Sequence, residues 1–181
     1  MTFVLTDLGD LRPGLNACLA VRYLLEKAGS TAQALDLLAE LPLSSNCCLL
    51  LADAAGDLAV AECAPARRVI RQSDTAVCAV NRFQTPALRS LDAAQGDDYH
   101  AAERYHVVMD TLPRLRGDPV RETQRLLRGE YGFLCQYDGT PDFETGGSSV
   151  WSTVFDLPAR TVLRAAGDPR FLPFRRDRRL V

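Results

Sequence analysis

The stretch that decides the architecture is residues 46–83, NCCLLLADAAGDLAVAECAPARRVIRQSDTAVCAVNRF. Cys47 to Ala52 is an unbroken apolar run, and Ala54-Ala55-Gly56-Asp57 is a turn signal ahead of a second run, Leu58 to Cys63. A strand that is apolar at every position, not at alternate ones, is covered on both faces, so these runs predict a sheet held between two layers. The last strand of the series carries Cys78 and ends at Asn81. A polar amide leaving a covered sheet at its rim is a usual place to hold a substrate.

Upstream, Thr2 to Leu5 reads as a short strand. Asn16 can cap a helix running to Ala28, with Gly29 just beyond it and Ala17, Ala20, Val21, Leu24, Leu25 and Ala28 on one stripe. Ser30 and Gln33 form a capping-box pattern for a second helix with Ala34, Leu35, Leu38 and Leu41 on its apolar face, and Pro42 stops it. So short a connection predicts two antiparallel helices on one face of the sheet. Downstream, Gln84 to Gln95 is polar and loop-like. Asp97 or Asp98 can open a helix that presents Ala101, Tyr105, Val108 and Leu112 and closes at Pro113. Asp118, Pro119 and Gly129 punctuate another helix. Gly146-Gly147 leads to two strands, Val150 to Leu157 and Thr161 to Ala165, joined by a turn containing Pro158. The alternating groups predict a layered α+β protein forming a single domain over residues 1–181, with helices outside and sheet inside.

Composition narrows the function. A chain of 181 residues with 47% hydrophobic content can bury a sizeable core. Its net charge of −2 gives no reason to expect nucleic acid or a membrane surface as a partner. The cluster Arg175-Arg176-Asp177-Arg178-Arg179 is expected to be a solvated, frayed tail. No apolar run approaches the roughly 18 residues of a membrane span. The opening MTFVLTDLGD has neither a basic leader nor a small-residue cleavage site, so the cytoplasm is the expected compartment.

The six cysteines, Cys18, Cys47, Cys48, Cys63, Cys78 and Cys135, lack the spacing of a zinc or redox site and are expected to be buried free thiols. His100 and His106 lack ligand spacing and are expected at the surface, so neither a metal nor another cofactor is implied. Asp97-Asp98 is a helix start, because adjacent helical residues do not face each other. Ser148-Ser149 lacks the strand-turn-helix setting of a nucleophile elbow.

Four motifs in order carry a resemblance: RPGLNACLAVRYLLEKAGSTAQALDLLAEL with NCCLLLADAAGDLAVAE, then CAVNRFQTP, then DDYHAAERY, then SVWSTVFDLPARTVLRAAGDP. Together they resemble the downstream portion of the penicillin acyltransferase family, grouped with the choloylglycine hydrolases among the N-terminal-nucleophile (Ntn) hydrolases. The resemblance implies a four-layer αββα sandwich, incomplete in this chain, and cleavage or transfer of an acyl group held in a linear amide. It also implies a cysteine freed at a chain terminus that attacks the carbonyl with its own α-amine as base, a group whose unperturbed pKa is roughly 8. Asn81 stands where the family has an asparagine that donates to the oxyanion, a role worth on the order of 3 kcal/mol. Arg104, in Glu103-Arg104-Tyr105, matches the arginine that supports the site. On local sequence alone, Asn81 also reads as a turn cap before Phe83, and Arg104 as a surface residue.

The chain departs from the family pattern at the nucleophile. The family's cysteine, with its Arg and Asp neighbours, lies upstream of the matching region, and no cysteine present takes its place. The leading expectation is an amidohydrolase or acyltransferase whose cysteine-bearing segment is encoded in frame before Met1. The chain would then be the latter part of a larger protein or a gene product with a late start. A second is a non-catalytic relative that binds N-acyl compounds or a partner chain. A third is a standalone Ntn hydrolase in which loss of Met1 frees Thr2 as nucleophile. The expected partners are a small N-acyl amide or acyl donor, and a second copy or a complementary segment.

Overall fold

The computed structural model describes residues 1–5, 11–92, 100–135 and 149–180, with the backbone alone at 2–5 and 180. The chain falls into two compact units, Met1–Tyr105 and His106–Val181. The first unit begins with β1 (Thr2–Leu5) and a helix pair, α1 (Ala17–Lys27) and α2 (Thr31–Glu40). Next come β2 (Cys47–Ala52), β3 (Leu58–Ala64) and β4 (Arg67–Gln72), then the short helix α3 (Pro86–Arg89). Helix α4 (Ala101–Thr111) spans the boundary between the units.

Local chemistry starts α1 and α2 where the sequence predicts. The Asn16 side chain accepts from Leu19 N at 2.9 Å, and Ser30 Oγ accepts from Gln33 N at 3.2 Å. Each satisfies a first-turn N–H that has no partner within the helix. Gln33 reaches back to Gly29 N at 2.8 Å, one residue short of closing a capping box on Ser30. The start of α1 and the end of α2 are also tied by backbone, Leu15 N donating to Pro42 O at 2.7 Å and Ser44 N to Leu15 O at 2.9 Å. Gly14 lies inside this junction, where an added Cβ would sit 2.7 Å from Pro42 O.

The four strands form one antiparallel sheet in the order β1-β2-β3-β4. The register sets Cys47 opposite Cys63, Leu49 opposite Ala61 and Leu51 opposite Ala59. These six pack under Ala17, Ala20, Leu24, Ala34 and Leu38 of the helix pair. The alternate residues Cys48, Val60 and Ala64 pack on the other face with Phe83 and Leu88. Both faces of β2 and β3 are thus covered, which explains their lack of polar alternation. Leu25 departs from the expected stripe and is 57% exposed, because the sheet takes only the row Ala17, Ala20 and Leu24.

The turn between β2 and β3 is organised by Asp53. Its carboxylate accepts from Ala55 N at 3.0 Å and Asp57 N at 3.2 Å, and from Thr31 N at the start of α2 at 2.8 Å. Gly56 takes φ +100° there. Beyond β4 the expected strand into Asn81 does not form. Residues 76–79 are irregular, and the Cys78 carbonyl accepts from Arg71 Nη2 at 3.0 Å, so a side chain holds this backbone. The loop expected over Gln84 to Gln95 contains α3. The proposed helix start at Asp97-Asp98 lies outside the described residues, as do Gly146, Gly147 and Ser148.

The second unit contains α5 (Pro119–Leu127), capped by Asp118 and followed by Gly129 at φ +76°, as the sequence predicts. Strands β5 (Ser152–Asp156), β6 (Thr161–Ala165) and β7 (Arg175–Arg176) form an antiparallel sheet in that order. β5 is shorter than expected, Val150 and Trp151 lying exposed before it. The arginine cluster is not a frayed tail. Arg175 and Arg176 pair with β6, Asp177 N donates to Val162 O at 2.8 Å, and the Asp177 carboxylate meets Arg179 at 2.6 Å and Arg164 at 3.5 Å. No helix among the described residues is long and apolar enough to cross a membrane.

Two outcomes follow from this packing. Leu51→Ala, which empties a site 1% exposed beneath the helix pair, should lower the unfolding free energy by about 2–5 kcal/mol in urea titrations. Asp53→Ala tests the turn through pH. Hydrogen bonds, chiefly from Thr31 N, hold the Asp53 carboxyl below its ordinary range. A carboxyl depressed in the folded state contributes fully above its unfolded pKa of about 3.9 and loses that contribution as pH falls through the folded value. The variant should therefore melt below the wild type at pH 7, and the difference should shrink as the pH falls below about 3.9.

Candidate active site

Glu62 interrupts β3, otherwise Leu-Ala-Val-Ala before it and Cys-Ala after it, and is completely buried. A charge in such a place is costly unless every oxygen is engaged. Its Oε1 accepts from Arg71 Nε at 2.9 Å and from Gln84 N at 3.0 Å. Its Oε2 accepts from Thr85 N at 2.9 Å and from the Thr85 hydroxyl at 2.5 Å. Thr85 sits at the N-cap of α3, and its hydroxyl serves Glu62 instead of the helix. Next to it, Phe83 is fully buried, and its N–H donates to Asp92 Oδ2 at 2.9 Å. The Asn46 side chain, 1% exposed, donates to Leu91 O at 2.8 Å and fixes the far end of the same segment.

Within this frame lie the two residues that sequence marks for chemistry. Arg104, on α4, donates through Nη2 to Asn81 Oδ1 at 2.7 Å, both side chains being half-buried. A guanidinium only donates, so the contact fixes which end of the Asn81 amide is oxygen and makes Nδ2 the donor end. A short charge-assisted bond of this kind also holds the amide plane. The Arg71 guanidinium, already on Glu62 and Cys78 O, lies 5.9 Å from the ring centre of Tyr105. The arrangement offers a carboxamide N–H fixed in orientation beside a permanent positive charge, which suits an electron-rich oxygen.

The other sequence-marked groups lie elsewhere. Thr2 is in β1 opposite Leu50, and its side chain lies outside the described residues. Cys47, Cys48, Cys63 and Cys78 are buried as expected, whereas Cys18 is exposed on α1 and Cys135 is half-buried. Burial pushes the Cys78 thiol up to about 11 and also raises Cys48, while a hydrogen bond with Cys47, together with burial, raises Cys63. His106 is exposed, and His100 Nδ1 is 3.4 Å from Glu103. Among the described residues no His, Cys, Asp and Glu side chains group as metal ligands.

Sequence reasoning missed Glu62, Arg71, Thr85 and Asp92. One signal was present for Glu62: an acidic residue inside an apolar strand must be partnered. Nothing local shows that its partners are residues 71, 84 and 85.

A family model described as acyl-coenzyme A:6-aminopenicillanic acid acyl-transferase matches residues 1–170. The chain belongs to this acyl-transferase family. The match runs through both compact units. No match was found among curated proteins. Among solved structures, penicillin V acylase from Agrobacterium tumefaciens, an Ntn hydrolase, aligns with a TM-score of 0.63 at 19% identity over 91% of this chain. The likeness is one of fold, and the chain spans 59% of that protein's length.

The thiol environments predict a graded reaction with dithionitrobenzoate at pH 8. Cys18 should react at once in the folded protein. Cys47, Cys48, Cys63 and Cys78 should react only after unfolding, and rapid reaction of all six cysteines would contradict the burial described.

Proposed function

We propose that this chain supplies the oxyanion donor and supporting arginine of an Ntn-type enzyme that hydrolyses or transfers the acyl group of a linear amide. In this reading the two units belong to the family's four-layer αββα sandwich. The observation that carries it is the 2.7 Å bond from Arg104 to Asn81, two residues marked for the site by separate sequence motifs. The family match over residues 1–170 supports the chemistry, and the likeness to penicillin V acylase supports the fold.

The attacking thiol comes from outside these 181 residues. Its proton passes to the α-amine of its own residue, and sulfur bonds to the amide carbon as the carbonyl π pair moves to oxygen. Asn81 Nδ2 donates to that oxyanion while Arg104 keeps the amide from turning. The intermediate collapses by expelling the amine, which takes the proton, and leaves a thioester. Water then gives the acid, or a second amine gives a new amide. The substrate is a small N-acyl compound, and the outer edge of β1 offers a place for a complementary segment to pair.

A non-catalytic relative that binds N-acyl compounds is the second reading, favoured by the burial of four thiols of this chain. Release of free amine from penicillin V by this chain produced together with the cysteine-bearing segment separates the two. Turnover that falls about 10²–10³-fold in kcat on Asn81→Ala, with KM little changed, is the result expected of the enzyme. Wild-type turnover by that variant would overturn the assigned role. Binding of penicillin V without turnover would select the second reading. Thr2 as nucleophile is excluded if activity survives acetylation of the Thr2 α-amine.

A further inference from the structure

The irregular segment that carries Asn81 is held at both ends by one ion pair, whose carboxylate is buried and whose guanidinium is partly exposed. On its N-terminal side Arg71 Nη2 donates to Cys78 O at 3.0 Å. On its C-terminal side Glu62 receives Gln84 N at 3.0 Å, Thr85 N at 2.9 Å and the Thr85 hydroxyl at 2.5 Å. Arg71 Nε joins the two halves through Glu62 Oε1 at 2.9 Å. Asn81 is the midpoint between Cys78 and Gln84. Arg71 also stacks at 5.9 Å from the ring centre of Tyr105, the residue that follows Arg104 on α4. One guanidinium and one carboxylate therefore touch the backbone on either side of the amide and the helix turn that supplies its arginine.

We propose that Glu62 and Arg71 are positioning residues that set Asn81 and Arg104 relative to each other, acting through the segment 78–85 and not through contact with substrate. The inference rests on the reading of Asn81 and Arg104 given above. Packing alone does not call for a charge in β3, since an apolar side chain of the same volume would fill the site without desolvating a carboxylate. What the carboxylate adds is direction. Its acceptors match two peptide N–H groups, a hydroxyl and a guanidinium at once, and no neutral side chain supplies that set. Glutamine at this position would turn an N–H₂ toward groups that only donate, Arg71 or the peptide N–H groups of Gln84 and Thr85.

The test uses the full chain labelled with nitrogen-15, the Asn81 side-chain amide being assigned from its loss in Asn81→Ala. In Glu62→Gln, exchange of the Asn81 amide protons with solvent should rise about ten-fold or more, and the Arg104 Nε–H resonance should move. Thr85→Val keeps the peptide N–H and removes only the hydroxyl, so it should give the same signature at smaller amplitude, and it decides the matter if Glu62→Gln does not fold. Leu51→Ala, which loosens the opposite face of the sheet, should leave both signals where they are. Loss of stability in Glu62→Gln and Thr85→Val with the Asn81 and Arg104 signals unmoved would overturn the proposal and leave Glu62 a structural residue only. If the signals respond as expected but Asn81→Ala turns over penicillin V like the wild type, positioning stands and the functional reading falls.

Discussion

Glu62 carries its carboxylate into the centre of a covered sheet, and much of the first unit is arranged around meeting its demand for donors. Breaking such a pair by removing one partner costs about 3–5 kcal/mol, because the survivor is left charged in a place water does not reach. The exposed pair Arg22–Glu26 on α1, with side chains 75% and 53% accessible, belongs to a class worth about 0–1 kcal/mol. The contrast decides which electrostatics matter here. Surface pairs decorate the helices, whereas the buried pair dictates where the chain goes after β4.

That demand explains why the sequence was legible in some places and opaque in others. β2, β3 and the two helices answer to short-range rules: continuous apolar runs, Asn16 and Ser30 as caps, Pro42 as a stop. The stretch before Asn81 has the composition of a strand, yet its Cys78 carbonyl is claimed by a side chain from β4. Periodicity carries no record of such a contact. The C-terminal arginines misled for a related reason. Their composition rightly suggests solvation but hides their order: Arg175 and Arg176 are exposed and still pair with β6, and Asp177 meets Arg164 across the sheet.

The candidate site shows the same division. Asn81 and Arg104 stood out because each sits in a recognisable motif, and the structure brings their side chains together. Glu62 and Thr85 lie within motifs that carry the resemblance, but nothing in those motifs marks them for the site, and Arg71 lies outside all four. Glu62, Arg71 and Thr85 are ordinary types in ordinary strands and turns, and they acquire meaning only when residues far apart in sequence converge. The frame around Asn81 gives a physical reason why an amide there can keep one orientation.

The junction at Gly14 has a further consequence. Peptide groups from residues 12–15 and 42–44 lie so close that no side chain fits between them. The beginning of one helix is thereby soldered to the end of the next, and the pair behaves as a single plate with its hinge removed. A methyl group at that point would act as a wedge, prising the plate from the strands beneath. Drift at this position is closed off, although the glycine places no side chain of its own in the core.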